Sequence, residues 1–553
     1  MTTQPRRIIT LTVILHGILA IATAGTITWA FIVTGAEILA LFLRTSYRWI
    51  PIIAGCSAAA FFLANAACAV YAARGARPAR AAEAASILTA IIVIWLTSCY
   101  TLDIIRRTKG DPASARTRFW TRIGPICSID TSIQKAADAS SSMTIWYFEP
   151  YYRKEAYLLY GTYPARERMS LVFPSGNDVH RREFRLTGLK PSTTYYYTAP
   201  GFDEQIRSFR TAPRRGDGNT SIRFLCLGDT GNTRRGGYAY SYYPSVMSAA
   251  RAWYRSQGIE PDFIVHAGDL VRRGDDLDAW HHHFSSFDNL SPTIAAAGNH
   301  EFLGDRGGNF RYFFGFNGYG SVDYGDIHIL ILHPFDGPIH TLDGPLVATG
   351  GKQYRFAQQD LAEAGGKSWI VVVIHIPLLS SGDYGNNEIL ITQYLDLFRK
   401  HGVDLVISGH DHSFDIFHAD EDRDGTLFLV AGTGGSHLDS YIMSRSTRRW
   451  FNWFHDRSSI HGLYQRDPLT EAWHRYGELS WGFTDVHVAG DTMTLTYCRW
   501  LSYPDFLKMT GQRDESWDMR EFRPTRGKFD TNRVEIAYRI VKKKRRPHEE
   551  KER

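Results

Sequence analysis

The chain has 553 residues, 22% of them charged, and is too long for one hydrophobic core; at about 150 residues per domain it should hold three or four units. Its formal net charge of +6 does not argue for a nucleic-acid partner, because the basic run Lys542 to Arg546 is followed at once by Glu549, Glu550 and Glu552 and reads as a solvated tail. Of six cysteines, Cys56, Cys68 and Cys99 lie in apolar segments, while Cys127, Cys226 and Cys498 are scattered without CxxC spacing, so there is no disulfide framework and the redox compartment stays open.

No charged residue occurs from Ile8 to Ala36, from Trp49 to Ala73, or from Ala84 to Leu102. A bilayer-spanning helix needs about 20 such residues, so residues 1–106 are expected to form a transmembrane anchor of about three helices. The alternative for a single stretch, a buried core helix or a cleaved signal peptide, does not suit three in a row with Arg-containing connectors. Ile8 to Leu43 as one helix would be about 54 Å long against a hydrocarbon core of about 30 Å. Either one span ends near Phe31, with Trp29 at the boundary and an interfacial stretch carrying Glu37, or two short spans form a hairpin. Orientation is open: Arg6, Arg7, Arg74, Arg77 and Arg80 on one side balance Arg44, Arg48, Arg106, Arg107 and Lys109 on the other.

Residues 120–213 change to short β-branched and aromatic runs separated by turn formers, the pattern of an all-β module. Their last third, Leu186 to Pro213, resembles the end of a fibronectin type III-like sandwich, with Tyr195 or Tyr197 as the tyrosine of a corner turn. From 221 to 500 apolar strands alternate with helix-length polar segments, which predicts a layered α/β domain with its chemistry at the C-terminal ends of the strands. A Trp-, His- and Arg-rich segment, about 441–480, interrupts it before two final strands and suits a lid, an oligomer contact or a membrane-facing surface. The extension 501–553 carries the alternating run Val534 to Val541, which predicts one added strand before the basic tail.

Five polar clusters stand at those strand ends: GDTG (Gly228 to Gly231), GDLV (Gly268 to Val271), GNHE (Gly298 to Glu301), VVIH (Val372 to His375) and GHDH (Gly409 to His412). A single strand-terminal Asp caps a helix, and a single His in a strand is a satisfied core residue. Five in succession call for another explanation. Phosphoester hydrolysis needs a nucleophilic hydroxide at neutral pH and compensation of charge on the phosphoryl group, and two metal ions about 3.5–4 Å apart provide both. Mixed carboxylate, amide and imidazole ligands suit Mn, Fe or Zn better than Mg or Ca. The run His281, His282, His283 is read as rim or surface, since successive helix residues do not face one way.

In order and type the clusters resemble the purple acid phosphatase branch of the calcineurin-like metallophosphoesterases, with motifs DxG, GDxxY, GNH(D/E), VxxH and GHxH, over about residues 120–500. The resemblance implies a four-layer α/β/β/α metallophosphoesterase sandwich, preceded here by the fibronectin type III-like module and the transmembrane helices. By position, Asp229 and His412 would bind the first of two metals (Fe, Mn or Zn), Asp269 would bridge both, and Asn299, His375 and His410 would bind the second. His300 would contact the phosphate and protonate the leaving oxygen, which makes His300 and Asp269 the catalytic pair. The run Ala431 to Gly435 is similar to the family's glycine-rich strand end after GHxH.

One departure matters. Where the family has the tyrosine of GDxxY this chain has Arg272, and where tyrosine-less relatives place a histidine it has Gly231. The first metal keeps three assigned protein ligands, with Asn232, Tyr238, Tyr240 or water as candidates for a fourth. Arg272 either points into solvent or grips a substrate phosphate. The expected function is hydrolysis of phosphomonoesters or phosphodiesters by a multi-pass protein of the cell membrane, with membrane lipid as its surroundings and the catalytic domain outside, as the resemblance implies. Oligomeric state is left open. The rival reading is a phospholigand-binding scaffold with a degenerate metal site, for which Arg272 argues and Asp269, Asn299, His300, His410 and His412 argue against.

Overall fold

The computed structural model describes residues 125–544 except 132–136, 149–155, 176–180, 200–201, 203–205, 218–220, 232–233, 236–237, 240, 287–290, 316–317, 334–350, 365–368, 383, 419–424, 439–472 and 511–529. All of them lie in one unit, Arg118–Arg553. The three charge-free segments lie outside the described residues, as does most of the aromatic segment after 440. Among the described residues no helix is long and apolar enough to cross a membrane.

The first large sheet has nine strands. At its centre β9 (Ser221–Leu227), β12 (Phe263–His266) and β13 (Thr293–Ala295) run parallel. On one side β9 pairs with β21 (Ser480–Ala489), then come β22 (Thr492–Ser502) and β23 (Glu535–Lys543), each antiparallel to its neighbour. On the other side β13 pairs with β1 (Ile126–Ser128), followed by β3 (Ser142–Phe148) and β6 (Arg181–Thr187). The second sheet has eight strands. They follow the order β2 (Ala137–Asp138), β14 (Gly320–Tyr324), β15 (Ile327–Leu332), β16 (Trp369–Ile374), β17 (Leu405–Ser408), β19 (Leu427–Ala431), β18 (Phe414–His418) and β20 (Trp473–Glu478). Strands β15, β16, β17 and β19 are parallel. A third sheet, in the order β5 (Ser170–Val172), β4 (Leu158–Gly161), β7 (Thr194–Thr198), β8 (Arg207–Arg210), is antiparallel throughout, and β10 (Arg234–Arg235) pairs only with β11 (Tyr238–Ala239).

The central strands are buried on both faces, which is why they read as unbroken apolar runs. In β9, Ile222, Phe224 and Cys226 enter the core between the sheets, while Leu225 and Leu227 pack with Tyr243, Val246 and Met247 of the helix Tyr243–Gln257. In β16, Trp369, Val371 and Val373 join the same central core, while Ile370, Val372 and Ile374 pack with residues of the helices Lys352–Ala364 and Glu388–His401. Two sheets with helices on their outer faces give four layers.

The strands between 126 and 210 have no core of their own. Tyr147, Phe184, Tyr195, Tyr197 and Phe209 belong to the cluster that also contains Phe224, Phe263 and Val322. The backbone joins too, since the Ile129 N–H donates to the Thr293 carbonyl at 3.2 Å. Of the two tyrosines considered for the corner, Tyr195 carries the bond: its hydroxyl accepts from the Lys190 N–H at 2.9 Å.

At the other end the sequence reading needs correction. Lys542 and Lys543 are not part of a solvated tail but the end of β23, paired with Met493 and Thr492. The Lys542 side chain is buried and donates to the Gly425 carbonyl, while Lys544 pairs with Asp404 and lies 5.2 Å over the Trp369 ring. Ammonium groups with partners this close no longer need water, which the sequence run alone did not reveal.

The corner bond gives a stability test. Tyr195→Phe keeps the ring and strands the Lys190 N–H, so denaturant unfolding should show a loss of about 1 kcal/mol.

Candidate metal centre

Asp229, Asp269, Asn299, His375 and His410 follow the C-terminal ends of β9, β12, β13, β16 and β17 by at most four residues. Backbone bonds stitch these ends across the two sheets. The Asp229 N–H donates to the Gly268 carbonyl at 3.0 Å, and the Gly409 N–H to the His375 carbonyl at 2.9 Å. The His410 N–H donates to Asp229 Oδ2 at 2.8 Å. Asp229, Asp269 and His410 have φ of 55°, 52° and 71°, a left-handed conformation that costs non-glycine residues roughly 1–2 kcal/mol each. Strain at three predicted ligands is what a site held by its surroundings would show.

On the second-metal side, ligand atoms of Asp269, His375 and His410 all lie within 4.8 Å of one another. His375 Nε2 is 3.1 Å from Asn299 Oδ1 and 3.3 Å from Asp269 Oδ1. Because a carbonyl only accepts, the 2.7 Å contact of His375 Nδ1 with the Ala267 oxygen puts a proton on Nδ1 and turns Nε2 to the site, the usual support of a metal-binding imidazole. Burial alone would lower the His375 pKa, but the Asp269 charge and hydrogen bond outweigh it and raise it to about 10. Asp269 shows the converse: burial pushes its carboxyl up, and His375 with His300 holds it well below its ordinary value.

On the first-metal side Asp229 is fully buried, and among the described residues no hydrogen-bond donor reaches its Oδ1; His412 Nε2 stands 3.4 Å away. A buried carboxylate oxygen left bare in this way is costly unless a cation takes it. The combined donors, carboxylate and amide oxygens with imidazole nitrogens, fit the Mn, Fe or Zn class.

His300 donates from Nδ1 to the Arg272 carbonyl at 2.7 Å and directs Nε2 to Asp269 Oδ2, 3.6 Å away. The Arg272 side chain is exposed, and among the described residues its guanidinium has no ion pair or hydrogen bond. Its positive charge helps to lower the pKa of His437, which packs beside His412.

The sequence reading gave Glu301 no role, yet it organises the Asp269 loop. Its carboxylate accepts from the N–H groups of Asp269 (2.9 Å), Val271 (3.1 Å) and Gly298 (2.7 Å). Burial and the Asp269 charge raise its pKa to about 8 against those donors. The neighbouring Gly298 is required by space, since a Cβ there would lie 2.1 Å from Asp269 Oδ1.

Placing the whole His281 to His283 run on the rim was wrong for its last member. His283 is fully buried, stacked on Tyr243 with ring centroids 5.0 Å apart, and its Nδ1 is 3.3 Å from Thr230 Oγ1. Trp280 and Phe284, also buried, lie three residues before it and one after, so the i, i+3, i+4 spacing of an inward face could have found it. His437 and Tyr384 were also missed. His437 packs against His412 with centroids 4.3 Å apart, and burial with the positive charges of His412, Arg272 and His300 pulls its pKa well below the usual value. Tyr384 stacks on His410 at 4.2 Å. Asn232, Tyr240 and the side chain of Tyr238 lie outside the described residues.

Residues 222–414 match the family model of the calcineurin-like phosphoesterases, so the chain carries a calcineurin-like metallophosphoesterase domain. It is 28% identical over 320 residues to an uncharacterized protein of Mycobacterium tuberculosis, covering 47% of this chain and 59% of that relative's length. It is 23% identical over 370 residues to purple acid phosphatase 21 of Arabidopsis thaliana, covering 61% of this chain and 80% of the plant protein. A purple acid phosphatase from yellow lupin seeds superposes with a TM-score of 0.47 at 16% identity, over 68% of this chain and 71% of the other.

Glu301→Ala would strand three N–H groups at once, at roughly 1–3 kcal/mol each where burial persists. Thermal unfolding should fall by several degrees or more, a larger loss than surface Glu→Ala changes give.

Proposed function

We propose that the chain is a metal-dependent phosphoesterase that hydrolyses phosphomonoesters or phosphodiesters, held by N-terminal spans in the cell membrane with its catalytic domain on the outer face. The observation that carries the hydrolytic reading is Asp269, whose Oδ1 lies beside His375 and whose Oδ2 faces His300. Three charge-free segments in the first 106 residues support the anchor. The four-strand sheet β5-β4-β7-β8 beside the strands β1-β3-β6 that end the nine-strand sheet, with the Tyr195 corner, supports a fibronectin type III-like module.

Two bound metals would supply a nucleophile at neutral pH and neutralise charge on the transferring phosphoryl group. Asp229, Asp269 and His412 would hold one; Asp269, Asn299, His375 and His410 the other. The remaining work falls to the chain's own groups. With Nδ1 committed to the Arg272 carbonyl, His300 can carry a transferable proton only on Nε2, the nitrogen that faces the site, where it would be passed to the leaving oxygen. The exposed Arg272 guanidinium offers a forked donor to substrate phosphate.

Metal analysis of the purified protein, coupled to assays on a panel of phosphomonoesters and phosphodiesters, tests this reading. Asp269→Asn should lose metal from both sites. His300→Ala should keep metal and slow turnover roughly 10²- to 10⁴-fold. Metal binding and phosphoester affinity without turnover in the wild type would favour a phospholigand-binding scaffold instead. The orientation has its own test: protease added to intact cells should reach the catalytic domain, and complete protection until the membrane is opened would reverse it.

A further inference from the structure

We propose that His437 is the fourth protein ligand of the first metal, an inference that rests on the two-metal reading above. Four donors surround the second position, but Asp229, Asp269 and His412 give the first only three. Residue 231 cannot make up the difference. Gly231 has φ of +52°, and a Cβ on it would stand 2.6 Å from Ser436 Oγ.

What closes that room also brings an imidazole in. The segment after β19 is bonded to the strand end that carries Asp229: the Gly434 N–H donates to the Gly228 carbonyl at 3.0 Å and the Ser436 N–H to the Asp229 carbonyl at 2.9 Å. Trp481 Nε1 donates to the Ser436 carbonyl at 2.6 Å, and Leu438 is fully buried. His437 therefore stands between two fixed residues. Its ring meets that of His412 edge to face, centroids 4.3 Å apart and planes at 71°. Among the described residues the His437 ring nitrogens make no hydrogen bond or ion pair, so a lone pair is uncommitted. Arg272 cannot serve in its place, because a guanidinium has no acceptor. A second imidazole beside the carboxylates Asp229 and Asp269 keeps the mixed donor set that suits Mn, Fe or Zn.

The test is metal binding by the full chain, read without turnover. Apo protein is titrated with Co(II) or Zn(II), following calorimetry and the Co(II) visible spectrum, for wild type, His437→Gln, His437→Asp and Arg272→Ala. Support for a second layer of ligands is worth 10- to 100-fold in affinity, so loss of a direct ligand should weaken the first site by roughly 100-fold or more. His437→Gln should keep the second-site ion and bind the first-site one roughly 100-fold more weakly, with altered Co(II) absorption and unchanged apo thermal unfolding. His437→Asp, which supplies a carboxylate ligand in place of the imidazole, should recover much of the loss, and Arg272→Ala should bind both ions. Two ions bound by His437→Gln with wild-type affinity would overturn the inference, as would a His437→Asp variant no better than the Gln one. A wild type that binds no metal would instead bring down the two-metal reading, and this inference with it.

Discussion

The arrangement turns on the burial of Asp269, a carboxylate that must stay charged where water is scarce. Its charge is stabilised by His375 and His300, and its position by the backbone: its own N–H is held by Glu301, and its Oδ1 accepts the His300 N–H at 3.0 Å. These contacts come from the ends of two other strands, β13 and β16. Because both sheets present their parallel strands' C-terminal ends to one edge, short loops suffice to assemble them. The left-handed backbone at Asp229, Asp269 and His410 is the cost of aiming side chains inward from such short loops.

Much of this was legible in the sequence because buried parallel strands and their polar ends are local signals. Runs such as WIVVVIH carry an unbroken apolar strand and a terminal histidine in seven residues, and the order of five such runs is itself informative. What escaped is what depends on neighbours distant in the chain. Glu301 looked like the last letter of a motif, and only folding puts the N–H groups of Asp269, Val271 and Gly298 around it. His283 sat in a run read as surface because successive helix residues do not face one way, although its spacing from Trp280 matched an inward face. Lys542 and Lys544 read as tail because Gly425 and Asp404, which receive them, are more than a hundred residues away.

The strands between 126 and 210 show a similar limit. Their turns and aromatic alternation predict an all-β module, but not that the module shares its core with the hydrolase sheets. Sharing follows from β1, whose pairing with β13 extends the central sheet directly into β3 and β6. The shared aromatic cluster ties the strands of 126–210 to those that lead into Asp229, Asp269 and Asn299.

That extension gives a nine-strand sheet whose outer strands, β23 and β6, each pair with one strand only among the described residues, and long open sheets invite pairing with another copy. Both ends are defended. At β23 the outermost strand carries the exposed Arg539 and Lys543, and its register slips at Tyr497/Cys498 of its neighbour, so a second chain would meet positive charge on a kinked rim. At β6 the strand carries the exposed Arg185, and Ser175 already occupies part of its free side, its N–H donating to the Glu183 carbonyl and its hydroxyl accepting from the Arg185 N–H. Charge and a short cover thus protect the sheet from growing beyond its own chain.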